Sequence, residues 1–389
     1  MDLTPTPEEV RFRQQVREWL EENVPSDPLP DDADGRVAFL KGWQHRLHEG
    51  GWVGLDWPRE FGGRGAGIFE SIIWHEEYTR ANAPNLIHLS VGTSLVGPTL
   101  IAWGSDAQKE RFLQPILAGD EVWCQGFSEP GAGSDLAALR TRGEVGDDEV
   151  VVTGQKIWTS FAHHADWCIL VVRTDPDAPK HEGLSFLLVD MKSPGITIRP
   201  LREMTGEAWF NEVFFDGVRV PRENLVGELN QGWRVVTTTL AHERGSSAQH
   251  SRLERDVERL IALARRTRRN GRPASEDPLV RQQLMDFAAH SMILRMTSYR
   301  NASEIERTGI PGPEGSTLKL LWSELDQRVK AFALDLLGPA GLVPEGDPLA
   351  VDDGYWAYEL LWSRAATIYA GTSEIQRNII AQRVLGLPR

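Results

Sequence analysis

The sequence predicts an α+β multidomain fold in which a helical segment, a β segment and a second helical segment follow one another. Three successive patterns along the 389 residues indicate this order. Apolar residues recur at helical spacing up to about residue 120, short β-branched and aromatic runs follow, and long stretches rich in Leu, Ala, Arg and Glu return after about Leu225. We therefore expect an N-terminal helical domain at 1–120, a central β domain at 121–228 and a C-terminal helical domain at 229–389.

The N-terminal segment begins with a helix start signal. Thr6 offers an N-cap hydroxyl, Pro7 takes the first helical position and Glu9 closes a capping box. Further apolar periodicity predicts helices at residues 68–80, 86–103 and 106–117. Before them lies PREFGGRGAG, a glycine-rich loop without GxGxxG spacing or a preceding strand pattern, so we reject a dinucleotide-binding fingerprint here.

The central and C-terminal segments differ in the length of their apolar runs. EVVVTGQKIWTS, WCILVVR and LSFLLVD are short, rich in β-branched residues and bounded by turn residues, which predicts strands. In the C-terminal segment, the loops GRPASEDP, TGIPGPEG and GPAGLVPEGDP separate long helical stretches, which predicts a helical bundle.

Composition narrows the function classes. A formal charge of −14 without a long Lys/Arg run argues against nucleic acid as a partner. We find no leader pattern and no apolar run of the roughly 18 to 20 residues that a membrane helix needs, so we expect a soluble, cytoplasmic protein that does not enter membranes. With only two cysteines, we do not expect a disulfide framework. The ten histidines do not occur at the spacing of metal ligands, so we expect no metal site.

Three separated motifs carry a family resemblance: GFSEPGAGSD at 126–135, GQKIWTS at 154–160 and YAGTSEIQRNIIAQRVLGLPR at 369–389. With PREFGG and VPRENLVGE, they occur in matching places along nearly the whole chain, and the chain resembles the acyl-CoA dehydrogenase family. The resemblance implies a central β-barrel-like domain and a C-terminal four-helix bundle. It also implies FAD as cofactor, an acyl-CoA thioester as substrate and an electron-transfer flavoprotein as electron acceptor.

The strand end from Gln125 to Ser128 can present backbone amides and the Ser128 hydroxyl to the edge of a flavin ring. By the resemblance, Trp158 packs beside the ring and Ser160 donates toward N5. Considered without the resemblance, Trp158 would be assigned to the core and the glycines of GAG to a surface loop. Ser134 is expected near the pantetheine or the pyrophosphate. The full set of residues implied to contact the cofactor is Gln125, Phe127, Ser128, Ser134, Trp158, Ser160, Arg272, Gly338, Thr372 and Glu374.

Part of the family's FAD site comes from a neighbouring subunit, and there this sequence departs from the family. Arg272 is a weak match for the family's arginine. The Gln-x-x-Gly-Gly-x-Gly loop is replaced by DLLGPAGLV, in which Asp335 stands at the glutamine position, Gly338 at the first glycine and Pro339 at the second. We expect either a homotetramer or a heterotetramer with a related subunit.

The expected reaction removes an α-proton while a hydride leaves Cβ, so it needs a carboxylate base. In many family members this base is a glutamate at the position that Ala370 fills here, and alanine cannot accept a proton. Isovaleryl-type and long-chain-type members carry it before an arginine on a helix of the last domain. Glu243, followed by Arg244, matches that place and is our candidate base. Ala370 keeps a backbone N–H for the thioester oxygen, and Ser134, Glu243 and Gly371 are expected to contact substrate.

Two alternatives remain open. A flavin monooxygenase or oxidase on the same fold would react with oxygen and would not need Glu243. An accessory subunit would stabilise an active partner instead of reacting, although the retained strand motif and Glu243 favour a catalytic chain. The acyl group cannot be named from the sequence, although the middle segment resembles enzymes that act on bulky or steroid-derived thioesters.

Overall fold

The computed structural model describes residues 4–30, 32–87, 89–244, 249–309 and 312–388, without the side chains of Glu243 and Arg244. The chain divides into two compact units. The helical unit comprises Met1–Glu22, Gly67–Ala83 and Arg244–Arg389, and the sheet unit comprises Asn23–Ala66 and Pro84–Glu243. The boundaries of the three expected domains stay a prediction.

The α-helices in chain order are α1 Pro7–Asn23, α2 Ala33–Glu49, α3 Ile68–Arg80, α4 Gly97–Trp103, α5 Asp106–Ala118, α6 Gly232–Arg244, α7 Gln249–Arg266, α8 Pro278–Thr308, α9 Gly315–Leu337, α10 Tyr355–Ala366 and α11 Ser373–Ile379. The strands are β1 Trp123–Gly126, β2 Arg142–Val145, β3 Glu149–Ser160, β4 Trp167–Arg173, β5 Leu184–Asp190, β6 Ile196–Leu201, β7 Phe210–Pro221, β8 Leu225–Val226, β9 Arg268–Arg269 and β10 Arg272–Pro273.

The predicted N-terminal helices are present. The capping box of Thr6 and Glu9 forms at the start of α1, with the N–H of Thr6 donating to the Glu9 carboxylate at 2.7 Å and the N–H of Glu9 donating to the Thr6 hydroxyl at 3.2 Å. The stretch expected at 86–103 begins later, as a π-helical segment at Val91–Val96 that continues into α4. Gly97, at the start of α4, lets the helix pack closely on the sheet unit's Trp57, because a side chain at this position would collide with the Trp57 ring.

The sheet unit is built on one mixed sheet. Its strand order is β6-β7-β3-β2-β4-β5-β8, with β1 pairing β4 in parallel. β4 and β5 are buried along nearly their whole length, which explains their continuous apolar runs. Among the described strands β6 and β8 do not pair, so the sheet stays open and the expected barrel-like closure is wrong. Local strand patterns cannot predict closure, because it depends on pairing between strands distant in sequence.

The helical unit packs α7, α8, α9 and α10 around one apolar core. Charge is also buried in this core. The ammonium of Lys330 donates to Asp256 and Asp326, and the Tyr355 hydroxyl donates to Asp256 at 2.6 Å. Burying these ions costs solvation free energy, so their pairing fixes the register of α7, α9 and α10 more than it adds stability.

Candidate functional site

Two segments expected at the flavin lie side by side in the sheet unit. One follows β1 and contains Phe127 and Ser128; the other is the end of β3. The N–H of Ile157 donates to the Ser128 carbonyl at 2.9 Å. The ammonium of Lys156 donates to the Phe127 carbonyl at 3.0 Å. The N–H of Ser128 donates to none of the described residues, so this backbone donor is available to a ligand.

Trp158 lies on a β-bulge. Lys156 pairs with Val213 and Thr159 pairs with Asn211, so β3 contains one extra residue at this point. The extra residue reverses the alternation: Thr159 is buried, whereas the Trp158 side chain is 58% exposed. Trp158 also has a left-handed φ of 60°. The assignment of Trp158 to the core, made without the family resemblance, is therefore wrong, and the bulge is the reason.

The surroundings of Trp158 include further polar groups. Ser160 is the last residue of β3 and is half-buried. The hydroxyl of Thr159 is buried and hydrogen-bonds to none of the described residues. Phe210, opposite Ser160 in the ladder, meets the Trp158 ring edge-on at 6.0 Å between ring centres. An exposed indole, a nearby hydroxyl and the free amide of Ser128 fit a flat ring with acceptors along its edge.

The glycine loop after Glu129 is held by its own backbone. Glu129 and Ala132 exchange two N–H to carbonyl hydrogen bonds of 3.0 Å. Gly131 and Gly133 do not have left-handed φ values, and a Cβ on either would meet no atom within 4 Å. The turn itself therefore does not require glycine, and the missing side chains leave open space beside the exposed Ser134. Such space suits the close approach of a ligand.

In the helical unit, the turn before α11 has a tightly held backbone. Ala370 and Gly371 have left-handed φ values of 53° and 89°. The buried amide of Gln376 donates to the carbonyls of Ala370 at 2.9 Å and Gly371 at 3.1 Å. The Lys319 ammonium donates to the Gly371 carbonyl at 2.9 Å. The N–H of Ala370 donates to no described residue, so the turn presents a free donor without a reactive side chain.

Thr372 and Glu374 begin α11. The Thr372 hydroxyl accepts from the N–H of Ile375 at 3.3 Å and so forms the N-cap. Glu374 is exposed, and its own backbone N–H, together with the Thr372 hydroxyl, holds the pKa of its carboxyl below the ordinary value. The N-cap role of Thr372 and a contact with a ligand are compatible.

An open cleft of about 590 Å³ lies beside this helix start, between residues of α9, α10 and α11. It contains the guanidinium groups of Arg328, Arg364 and Arg377. Ser373 also borders it; this residue is 6% exposed, and its hydroxyl contacts no polar partner among the described residues. Glu324 and Glu374 line the same cleft, and Arg328 and Arg377 are already paired with carboxylates, so the cleft carries charges of both signs.

The residues expected to complete a neighbour's cofactor site are exposed. Arg272 lies in the short β9–β10 hairpin. Gly338 follows α9 as its C-cap with a φ of 60°, and a Cβ there would meet no atom within 4 Å. The carbonyl of Asp335 accepts a hydrogen bond from Arg269. Neither Arg272 nor Gly338 borders the cleft.

The candidate base lies at the end of α6. Glu243 and Arg244 are its last two residues, and their side chains are outside the described part of the structure. The preceding turn is anchored in the sheet unit, where the hydroxyls of Thr99 and Thr239 hydrogen-bond at 2.8 Å. The backbone position of Glu243 is therefore defined by a packed helix. The role of its carboxylate stays a prediction.

Four residues that hold these segments were missed from the sequence: Lys156, Glu129, Gln376 and Lys319. One signal was available. Lys156 lies an even number of residues after the apolar Val150 and Val152. Because side chains alternate along a strand, the sequence predicts that this charged side chain points into the core. Gln376 and Lys319 left no such signal, because their contacts depend on how α9 and α11 pack.

Across the described residues, every helix is too short or too polar to cross a bilayer. In that same part of the chain, no group of three or more His, Cys, Asp or Glu side chains is placed to hold a metal ion. Cys124 and Cys168 are free, buried and in register on β1 and β4.

Comparison with known proteins identifies relatives along the whole chain. Family profiles described as acyl-CoA dehydrogenase N-terminal, middle and C-terminal domains match residues 6–120, 124–218 and 230–385. The acyl-CoA dehydrogenase IpdE1 of Mycobacterium tuberculosis is 42% identical, over 97% of each chain. The solved Tcur3481-Tcur3483 steroid ACAD shares 34% identity with a TM-score of 0.88, covering 100% of both chains. The ChsE4-ChsE5 complex from M. tuberculosis shares 32% identity with a TM-score of 0.86, also covering 100% of both.

Proposed function

Because the chain belongs to the acyl-CoA dehydrogenase family, a family of flavoproteins, we propose that it uses FAD to dehydrogenate an acyl-CoA thioester between Cα and Cβ. The structural observation that best supports this proposal is the exposure of the Trp158 side chain. An indole that is exposed on a bulge, in a left-handed backbone conformation, contributes nothing evident to folding. It stands beside Ser160 and the free Ser128 amide, where a flavin ring would use all three.

In the proposed mechanism, Glu243 takes the α-proton as the Cα=Cβ bond forms. The hydrogen at Cβ leaves with its bonding electron pair, and FAD held by the Ser128, Trp158 and Ser160 segments would supply the hydride acceptor. An electron-transfer flavoprotein would then take up the two electrons, and the hydrogen would be released as a proton. The N–H of Ala370 donates to the thioester oxygen, where negative charge grows as the α-proton leaves. Gln376 and Lys319 hold the carbonyls of this turn, so the donor needs no reorganisation during the reaction.

The residues expected to complete a neighbouring subunit's cofactor site favour a heteromeric assembly. Asp335 and Pro339 replace residues that the family uses to complete a neighbour's cofactor site. Two similar solved structures are complexes of two named components, Tcur3481-Tcur3483 and ChsE4-ChsE5. We propose that this chain supplies Glu243 and the ring contacts, and that a related subunit completes FAD binding. Because the first complex is named a steroid ACAD, we also favour a bulky, steroid-type acyl group as the substrate.

The experiment is a screen of acyl-CoA thioesters, from straight-chain to polycyclic, with an artificial electron acceptor. The chain is purified alone and after co-expression with a related subunit, and FAD content is measured in parallel. Acceptor-dependent turnover of polycyclic thioesters is expected. Rapid reoxidation of the flavin by air, with product bound, would instead indicate an oxidase. Absence of both FAD and turnover in every preparation would refute the proposal.

A further inference from the structure

Lys156 is a fully buried lysine that the proposed reaction does not use. Its exposed fraction is 0%, and it lies in β3 on the same face as the core residues Val150 and Val152. Burial lowers the pKa of its ammonium below the ordinary value, while Glu129 opposes that shift. An apolar side chain of the same length would avoid this desolvation cost, so the charge at this position calls for a specific explanation.

The ammonium of Lys156 has two partners. It donates to a carboxylate oxygen of Glu129 at 2.9 Å and to the Phe127 carbonyl at 3.0 Å. Glu129 is itself fixed, because its oxygens accept from the N–H groups of Arg140 at 2.7 Å and Thr141 at 2.8 Å. The carboxylate therefore aims the lysine, and the lysine holds the Phe127 carbonyl in one orientation.

The consequence follows from the planarity of the peptide bond. The Phe127 carbonyl and the Ser128 N–H belong to the same trans peptide, so they point in opposite directions. Because Lys156 holds the carbonyl toward the protein interior, the N–H of Ser128 points away from it. This N–H is the donor that no described residue accepts. The Ser128 carbonyl is held as well, by the N–H of Ile157 at 2.9 Å.

We propose that Lys156 and Glu129 are a positioning pair that aims the Ser128 N–H at an acceptor on the flavin ring edge. This inference rests on the proposed function, because it assumes that the free donor serves bound FAD. Lys156 does not touch the cofactor in this proposal. It acts through the peptide between Phe127 and Ser128, and its positive charge lies behind that peptide, where it strengthens the amide dipole toward that acceptor.

The test compares Lys156→Met with Lys330→Met in the complete protein or its heteromeric complex. Both substitutions remove a fully buried lysine and its ion pairs, with Glu129 in the first case and with Asp256 and Asp326 in the second, but Lys330 lies in the core of the helical unit. FAD affinity is measured by titrating the apoprotein, and the flavin reduction potential by equilibration with redox dyes. Thermal unfolding of each apoprotein reports the loss of stability.

Lys156→Met should weaken FAD binding about tenfold, as expected for loss of one well-aimed hydrogen bond, and should lower the reduction potential. Lys330→Met should destabilise the protein with little change in either quantity. Equal changes in FAD affinity and potential for the two variants would overturn the inference, because both lysines would then act only through stability.

A second measurement needs no variant. Hydrogen exchange at the Ser128 amide, resolved by fragmentation mass spectrometry, should be fast in the apoprotein and slow with FAD bound. An amide that exchanges equally fast in both states would overturn the inference, even if Lys156→Met does not fold. If the natural protein binds no FAD under any condition, the proposed function itself fails, which is a distinguishable result.

Discussion

Trp158 and Ala370 share one backbone feature at the scale of single residues. Both are non-glycine residues with left-handed φ values, 60° and 53°. Such a conformation costs an L-residue roughly 1–2 kcal/mol, so surrounding contacts must maintain it. The bulge in β3 does so for Trp158, and the Gln376 amide does so for Ala370. Strain of this kind concentrates at functional sites, and both residues come from motifs of the family resemblance.

Replacing Trp158 with alanine separates function from folding. The exposed indole has few contacts to lose, so Trp158→Ala should change the free energy of unfolding by about 0.5 kcal/mol or less. It should nevertheless weaken FAD binding and alter the flavin absorbance. Trp123→Ala is the matched control, because Trp123 is fully buried and its truncation should cost about 3–5 kcal/mol. An unchanged flavin spectrum and affinity in Trp158→Ala would refute the ring contact.

Glu243, the candidate base, can be tested by removing its carboxylate and then by placing a carboxylate at residue 370 instead. Glu243→Gln should retain the fold and FAD but slow substrate-driven flavin bleaching on the order of 10²- to 10⁴-fold, because an amide cannot accept the α-proton. Stopped-flow absorbance measures this rate. Adding Ala370→Glu to Glu243→Ala should then restore part of the rate, since the family uses either position. Rescue should be incomplete, because a base displaced from its best geometry loses much of its advantage.

Two results would count against this assignment. Normal bleaching in Glu243→Gln would remove the residue from the mechanism. If the double variant binds flavin but its bleaching rate does not recover, carboxylates at residues 370 and 243 do not reach the same substrate carbon, Cα. Ala370→Gln in the Glu243→Ala background is the control, because it adds similar bulk without a base.

At the scale of elements, α1 and α3 are joined by charge as well as by apolar packing. Glu77 on α3 is buried and accepts from Arg13 at 2.9 Å, from Arg17 at 2.9 Å and 3.0 Å, and from Arg80 at 2.6 Å. Burial by itself would raise the pKa of Glu77, but the guanidinium groups outweigh it and lower the pKa from 4.5 to about 2.

This cluster predicts a defined loss of stability in acid. Because the folded pKa lies below the unfolded one, the Glu77 contribution is complete above pH 4.5 and is lost as pH falls toward 2. Glu77→Gln should lower the free energy of unfolding at neutral pH by on the order of 2–4 kcal/mol and should weaken the pH dependence in that window. Urea unfolding at several pH values measures both effects. An unchanged slope between pH 4.5 and 2 would contradict the assignment.

At the scale of the whole molecule, the chain retains the motifs that we expect to contact the cofactor, but it departs from the family pattern at Asp335 and Pro339, where a neighbour's site is expected to be completed. We expect the protein expressed alone to hold substoichiometric FAD, and co-expression with a related subunit to raise occupancy. Native mass spectrometry with flavin absorbance measures both. A sharper variant combines Asp335→Gln with Pro339→Gly, which should raise the occupancy of the chain expressed alone. A monomer fully loaded with FAD would contradict the shared site.

The sequence by itself determined those helices and strands that depend on short-range signals, and those site residues that belong to family motifs. Capping residues and apolar spacing predicted α1, α3 and α5, because these signals act over a few residues along the chain. The short apolar runs predicted β4 and β5 for the same reason. The family motifs, which no periodicity would have revealed, named Ser128, Trp158, Thr372 and the position of Ala370.

What only the tertiary structure decided depends on pairing between distant segments. The sheet stays open because β6 and β8 do not meet, and no single strand encodes that outcome. Trp158 faces outward because β3 has one residue more than β7 between the Lys156–Val213 and Thr159–Asn211 pairs, a mismatch visible only once the two strands are in register. The Lys156–Glu129 contact and the hydrogen bonds from the Gln376 amide to the turn before α11 likewise appear only after folding. Hydrogen bonds between buried polar groups depend on which groups lie close together in three dimensions.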